Sequence, residues 1–448
     1  MVMAKIALGL AGLGIVVFIH ELGHFLAARL AGINVEAFSI GWGKAILKKK
    51  IGEVEYRLGM FPLGGYCKMQ GENEFNEAWE KRASGIEPVK GTYYGTPPLK
   101  RIVVCLAGPL FNLIFAMLIL TLIWGIGFEV QTLDSRIVLA SEINADNIYP
   151  ADRAGFKTGD KIIEVNGKKT NYYHEVQGNI AINPDKLLPV TIERDGLTIH
   201  LMVKPDLDKK TGAGRIGVYF WTDPVITEIV SGSDADIAGL LAGDIIIRVN
   251  GEPITHTIDF MKALENSPPI AEIGFIRDGA EKKAELVHSQ PDNLGIIWPR
   301  IQYRTPILSP PAALAKGVSE GWKTLVVSLR SLVLLFKGID LTEAVSGPVR
   351  ITYMVGDVAA EGFGQSIGTG LRSMAEFIAL ISVALCVMNL LPLPILDGGQ
   401  IILFIVEIIR RKPLHPKAIG VFQTFGVVLI CGLMLFALFG DILYLSRR

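Results

Sequence analysis

The sequence is short of cysteine, of charge and of any net sign. Its 448 residues include four cysteines, Cys67, Cys105, Cys386 and Cys431, and no CxxC. These make neither a disulfide framework nor a zinc knuckle, so they do not reveal the redox compartment. Charged residues are only 20% of the chain, and 44 acids balance 44 bases. That balance gives no case for a nucleic-acid or polyelectrolyte partner. What is plentiful is apolar. Half of the residues are hydrophobic, and the mean hydropathy is +0.40. Disorder is excluded, a purely soluble enzyme is disfavoured, and the length calls for several modules.

A helix needs about 20 apolar residues to cross a bilayer. Four stretches meet that length: about Ile6 to Leu30, Ile102 to Phe128, Phe377 through Leu396 with a proline-broken continuation to Ile409, and Ala418 to Leu445, whose only charge is Asp441. The first is too long for a signal-peptide core and lacks a clear small-residue cleavage site, so it reads as a retained helix. Loop basicity sets the orientation. Lys44, Lys48, Lys49, Lys50, Arg57, Lys68, Lys81, Arg82, Lys100 and Arg101 follow the first stretch, and Arg410, Arg411, Lys412 and Lys417 follow the third. Both loops are expected to face the cytoplasm, with the segment from about Glu129 to Thr369 on the other side. Arg447 and Arg448 oppose this weakly.

That segment contains a duplication. Ala154 to Gly167 aligns without gaps on Ala238 to Gly251. Each copy runs through a Gly-Asp turn and a β-branched strand to Asn-Gly, a strong hairpin signal. A helix-like stretch and a strand follow, ending near Arg194-Asp195-Gly196 or Arg277-Asp278-Gly279. The pattern resembles the PDZ family in its bacterial form, twice in tandem. PDZ domains add an extended chain or free C-terminus to a sheet edge. Ile216-Gly217-Val218 is a candidate carboxylate loop for the second copy, or else an ordinary strand connection. A structural spacer is the alternative for the whole tandem.

The chemistry begins at His20-Glu21-Leu22-Gly23-His24, an HExxH motif. Histidines four apart share one helix face and can reach one metal, and the Glu beside it can take a proton from water. Ionisable groups within a membrane helix are costly and point to function. Catalytic zinc usually has three protein ligands. His174, His200, His256, His288 and His415 lie outside the apolar stretches. Asp397, after the Pro392-Leu393-Pro394 break in the third stretch, is a better third ligand. A helix-capping role is the alternative for it.

HExxH in the first helix, Asn389-Leu390-Leu391-Pro392-Leu393-Pro394-Ile395-Leu396-Asp397-Gly398 in the third and PDZ-like modules between them resemble the site-2 protease family of intramembrane zinc metalloproteases. The likeness is to its bacterial sigma-E-regulating branch and covers nearly the whole chain. It implies one Zn2+ per chain bound by His20, His24 and Asp397, with Glu21 activating water. Asn389, Pro392 and Pro394 are implied to engage substrate. Gly64-Gly65-Tyr66 would belong to a β-hairpin re-entering the membrane, whose edge holds the unwound substrate. A plain cytoplasmic hairpin is the alternative. Gly108-Pro109-Leu110-Phe111-Asn112 also matches the family. Pro109 implies a local break, and Asn112 either faces the site or bonds a neighbouring helix.

Ala312 to Lys337 carries apolar residues at helical spacing, with Lys316, Lys323, Arg330 and Lys337 on the other side. It reads as an amphipathic helix in the membrane interface or as a packed soluble helix. The Ser346-Gly347-Pro348 stretch beyond it resembles the family's linker. The expected fold is a multi-pass α-helical membrane protein with four transmembrane helices, a membrane-associated β-hairpin and two small PDZ-like α+β domains. The expected divisions are 1–127, 128–221, 222–306, 307–371 and 372–448. The expected activity is cleavage of pre-trimmed single-span proteins, such as anti-sigma factors and remnant signal peptides, after a site-1 protease, in the bacterial inner membrane. A metal transporter and a membrane-anchored PDZ scaffold are the rival readings.

Overall fold

The computed structural model describes residues 2–81, 83, 85–86, 88–144, 147–288, 294–335 and 347–446. Arg82, Lys337, Ser346, Arg447 and Arg448, invoked above, lie outside the described residues. The chain divides into two compact units, Met1–Phe128 with Thr305–Arg448, and Glu129–Arg304.

In the first unit four helices are long and apolar enough to cross a membrane: Leu8–Ala31, Pro98–Ile126, Ile367–Asn389 and Pro416–Leu443. The third starts at Ile367, well before the expected Phe377. Ser366 caps it, its Oγ accepting the Thr369 N–H at 3.0 Å. The Arg372–Glu376 pair, at 3.4 Å, lets charge enter the first turns. It ends at Asn389, and its expected continuation is a separate helix, Asp397–Arg410. Two prolines in the gap explain the separation. The expected break at Pro109 does not occur: the second spanning helix runs unbroken through it. Pro109 is buried there, and close packing holds the turn despite the missing N–H.

The helix Pro310–Leu335 packs along the second spanning helix. Its Gly317 lies against Thr121 and its Gly321 against Met117, an antiparallel run that glycines make close. Asp441, 2% exposed in the fourth spanning helix, has its partners in the helix Pro348–Gln365. Its carboxylate accepts the Gly347 N–H at 2.9 Å and the Val349 N–H at 3.0 Å. A buried acid at a helix N-terminus meets both orphan donors and the dipole.

Between the first two spanning helices lies the hairpin Val35–Ile51 and Val54–Met69. Both strands bend, so Phe38 pairs with Cys67 and with Tyr56, and Ile40 with Gly65 and with Leu58. Gly41, Gly43 and Gly64, all at positive φ, make the bends. Phe38 and Val35 join Phe25 and Ala28 of the first helix in one buried cluster.

The second unit holds the two repeats. Each has a four-stranded antiparallel sheet of the same strand order. In the first copy Ile162 pairs with Ile192 and Val165 with Val190. In the second Ile246 pairs with Phe275 and Val249 with Ile273. The Asn166-Gly167, Asp195-Gly196, Asn250-Gly251 and Asp278-Gly279 corners all have positive φ at both residues, as a two-residue hairpin turn requires. Separate cores, one on Ile162 and Ile192, the other on Ile246, Phe260 and Ile273, fill the copies.

One expectation is corrected here. Ile216-Gly217-Val218 belongs to the first copy, not the second. Ile216 is buried in the first core, and Val218–Phe220 pairs with Ile137–Leu139. The second copy's counterpart is Leu294-Gly295-Ile296. Ala151 N–H bonds the Ile216 carbonyl in one copy, and Ala235 N–H bonds the Leu294 carbonyl in the other. His256, 1% exposed, faces Glu142 and Asp259. Its Nδ1 accepts the Asp259 N–H at 3.1 Å. The neutral ring therefore carries its proton on Nε2 and donates toward the two carboxylates, which suits a strap between copies better than a metal site.

Candidate functional site

The site is assembled from the first three spanning helices and the short helix Asp397–Arg410. His20 and His24 follow each other by one helical turn, and their rings meet edge-on with centroids 4.7 Å apart. His24 Nδ1 bonds the Val104 carbonyl at 2.8 Å. That bond makes Nδ1 the donor and leaves Nε2 with its lone pair toward the centre. Asp397, in the first turn of its helix, lies between the rings. Its Oδ2 is 3.4 Å from His20 Nε2 and its Oδ1 is 3.5 Å from His24 Nε2. The two Nε2 atoms are 3.1 Å apart.

Three ligand atoms thus lie within 4.8 Å of one another. Two imidazoles and a carboxylate are a catalytic-zinc donor set, and arms of about 2.0–2.1 Å at tetrahedral angles put donors about 3.3 Å apart. The Nε2–Nε2 separation of 3.1 Å is close to that, and each Nε2 has one Asp397 oxygen at 3.4 or 3.5 Å. Space has been cleared as well. A Cβ on Gly108 would collide with His24 Nε2 and come within 2.8 Å of His20 Cε1.

Asn112 is fully buried, and its Nδ2 lies 3.4 Å from His20 Nδ1. Its Oδ1 has no partner. With the amide turned over, Oδ1 accepts from His20 Nδ1–H, and His20 Nε2 is freed as a ligand atom. Asn389 Nδ2 lies 3.3 Å from His20 Nε2. Gly65 abuts Glu21, since a Cβ there would come within 3.1 Å of Glu21 Cγ and 2.7 Å of the Ser39 carbonyl. The hairpin strand therefore passes directly over the acid.

The structure brings His20, Glu21, His24, Asn112, Asn389, Asp397 and Gly65 together. It does not bring Tyr66, whose hydroxyl accepts from Arg57 at 3.0 Å. Gly64 lies against Trp42. Pro394 packs against Gly426 of the fourth spanning helix, and Pro392 is exposed. Val104 was not foreseen, because a carbonyl acceptor leaves no mark on the sequence. Arg101 and Glu407 were also missed as a pair. They meet at 2.7 Å with side chains 4% and 11% exposed. Arg101 also lies over the Phe404 ring at 4.5 Å. Together they hold the Asp397 helix against the second spanning helix. Opposite charges at the edges of two apolar runs were the available signal.

Comparison with known proteins bears on what this centre does. The profile of peptidase family M50 matches residues 8–433. A protein of Treponema pallidum (strain Nichols), provisionally named a zinc metalloprotease, is 36% identical over 448 residues, covering 99% of this chain and 100% of the relative. A Borreliella burgdorferi protein of the same name is 33% identical, covering 95% of each. The regulator of sigma-E protease of Escherichia coli (strain K12) is 29% identical over 460 residues, covering 96% of this chain and 97% of the relative. Bacterial relatives and four helices of spanning length mark a bacterial membrane protein. The chain belongs to peptidase family M50 and is a zinc metalloprotease.

Proposed function

We propose that the protein is an intramembrane endopeptidase, with His20, His24 and Asp397 holding the zinc and Glu21 serving as the proton carrier. The convergence of the three donor atoms beside Glu21 carries this reading. Zinc supplies Lewis acidity there, for water and for the scissile carbonyl. The Glu21 carboxylate takes a proton from the attacking water and returns it to the leaving amine nitrogen. Val104 and Asn112 fix the two imidazole tautomers. Asn389 lies beside His20, where it can hold the substrate backbone. The hairpin strand at Gly65 offers the unwound substrate an edge to pair with, because a helical substrate hides its amides.

The substrate is a single-span protein already shortened by a site-1 protease, of the anti-sigma-factor or remnant-signal-peptide class. The name of the Escherichia coli relative supports the first of these. The two repeats are PDZ-like modules that admit trimmed chains. The basic loops place the catalytic end toward the cytoplasm and the repeats outside it, in the inner membrane.

The deciding experiment is cleavage of a tagged single-span substrate by purified protein in detergent. Wild type should cut, lose activity to chelator and regain it with zinc. Glu21→Gln should lose roughly two to four orders of magnitude while keeping its zinc. His24→Ala should lose the zinc. Equal product from wild type and Glu21→Gln would sink the assignment.

A further inference from the structure

A cavity of about 350 Å³ lies within the membrane unit. Its walls are the carboxamides of Asn76, Gln400 and Gln423 and the rings of Phe75, Tyr93 and Tyr94. The hairpin strand supplies the remaining wall through Cys67 and Met69. These residues come from separate segments that meet only in the fold.

Three features give the cavity a purpose. First, it is polar without charge, since none of its lining side chains is ionised at neutral pH. Second, among the described residues the amides of Gln400 and Gln423 make no hydrogen bond within the protein, although both helices run through apolar sequence. Both residues are half-buried, so their carboxamides stand in the cavity free to bond a ligand in place of water. Third, the cavity is in line with the chemistry. Gln400 follows Asp397 by one helical turn and shares its face. Gly65, Cys67 and Met69 alternate along one strand and share its face, with Gly65 against Glu21 and the other two in the cavity wall.

We infer, given the peptidase centre proposed above, that this cavity is a substrate subsite for an uncharged hydrogen-bonding side chain. The residue it takes lies two or four positions from the scissile bond, in phase with the strand paired along Gly65–Met69. An extended segment that places its cut bond at Glu21 delivers every second side chain to that wall. The carboxamides offer it donors and acceptors together. The Phe75–Tyr94 stack, with centroids 5.5 Å apart, gives it a flat apolar side. A lysine or aspartate would be stripped of water with no counter-charge to meet it.

The test uses full-length protein in detergent and a panel of single-span substrates. Leu, Gln or Lys is placed in turn at each of the four positions on either side of the cut. Wild type should prefer Gln over Leu by about five- to tenfold in kcat/KM at one even-spaced position, the worth of one hydrogen bond, and should disfavour Lys there. Gln423→Leu should flatten that preference while zinc content and the cut position hold, and Gln400→Leu provides the same check from another helix. A preference unchanged in both variants, a uniform loss across the panel, or a cavity filled by water alone with no preference would overturn the subsite. Photo-crosslinking from a benzophenone residue at each position, in the Glu21→Gln protein, gives a readout without catalysis. Adducts at Tyr93, Tyr94 or Gln423 support the subsite, and adducts elsewhere only overturn it. Chelator-sensitive cleavage by wild type separates a failure of the subsite from a failure of the peptidase reading.

Discussion

The two repeats outside the membrane unit share a skeleton and differ at an edge. In the first, Arg194 grips Asp160 through Nε at 2.6 Å and Nη2 at 2.8 Å, and reaches the Gly155 carbonyl at 2.8 Å. In the second, Arg277 grips Asp244 at 2.7 and 2.6 Å and the Gly239 carbonyl at 2.8 Å. Both acids are at most 1% exposed. Each also caps its own turn, accepting the Lys157 or Leu241 N–H at 2.8 Å. The edges part company at Tyr173. Its hydroxyl donates to the Val218 carbonyl at 2.9 Å, and its ring meets Phe220. Gly217 and Trp221 already bond the neighbouring strand, so Val218 faces the open side. Burial pushes the Tyr173 phenol up to about 12, so it remains a donor at neutral and alkaline pH. Thr257 stands at the equivalent place in the second copy, and its Ile296 carbonyl receives no such bond among the described residues. A duplicated fold keeps the buried ion pair that closes its turn and varies the rim where an extended chain would pair.

The largest effect should come from using the same device in a different solvent. Arg101–Glu407 is a carboxylate–guanidinium pair of the membrane unit, and Glu407→Ala strands a buried cation at a cost of about 3–5 kcal/mol. Thermal unfolding in detergent should fall markedly and peptidase activity with it. An unchanged melting point would separate this pair from the other two. Asp160→Ala and Asp244→Ala should each cost about 3 kcal/mol, the lower end of that range because the arginines are partly solvated. Hydrogen exchange should show each loss confined to its own copy, and unequal losses would break the symmetry argued above. His256→Ala removes a cap from the Thr257–Glu265 helix and should cost about 1–2 kcal/mol, read as faster exchange in the second copy alone. The smallest change is Tyr173→Phe, about 1 kcal/mol. It should raise binding of an extended peptide to the first copy, measured by calorimetry, and Thr257→Tyr should lower it in the second. Affinity that ignores both substitutions would leave the edge difference without consequence.

How far the sequence led depended on the range of each interaction. The His20–His24 spacing is local, and a helix turns it into geometry without help. The paired Gly-Asp and Asn-Gly corners are local too, which is why both sheets were legible. Asp397 was legible because an acid in an apolar run needs a partner. The strand Val218–Phe220 lies between the copies, and only its long-range pairing with Ile137–Leu139 reveals its owner. The third spanning helix began earlier than expected because Arg372 and Glu376 hide each other in three dimensions but not in a hydropathy profile. The cavity lined by Gln400 and Gln423 draws on segments far apart in the chain, and no window of sequence contains it.

Asp441 has a bearing on biogenesis. The start of the Pro348–Gln365 helix waits for an acceptor that lies 94 residues further along the chain. During synthesis that helix starts with two amides unanswered. Only insertion of the final span, itself burdened by a carboxylate in its apolar run, closes the bundle. A ribosome-bound or prematurely ended chain therefore carries the catalytic histidines in a loosened frame.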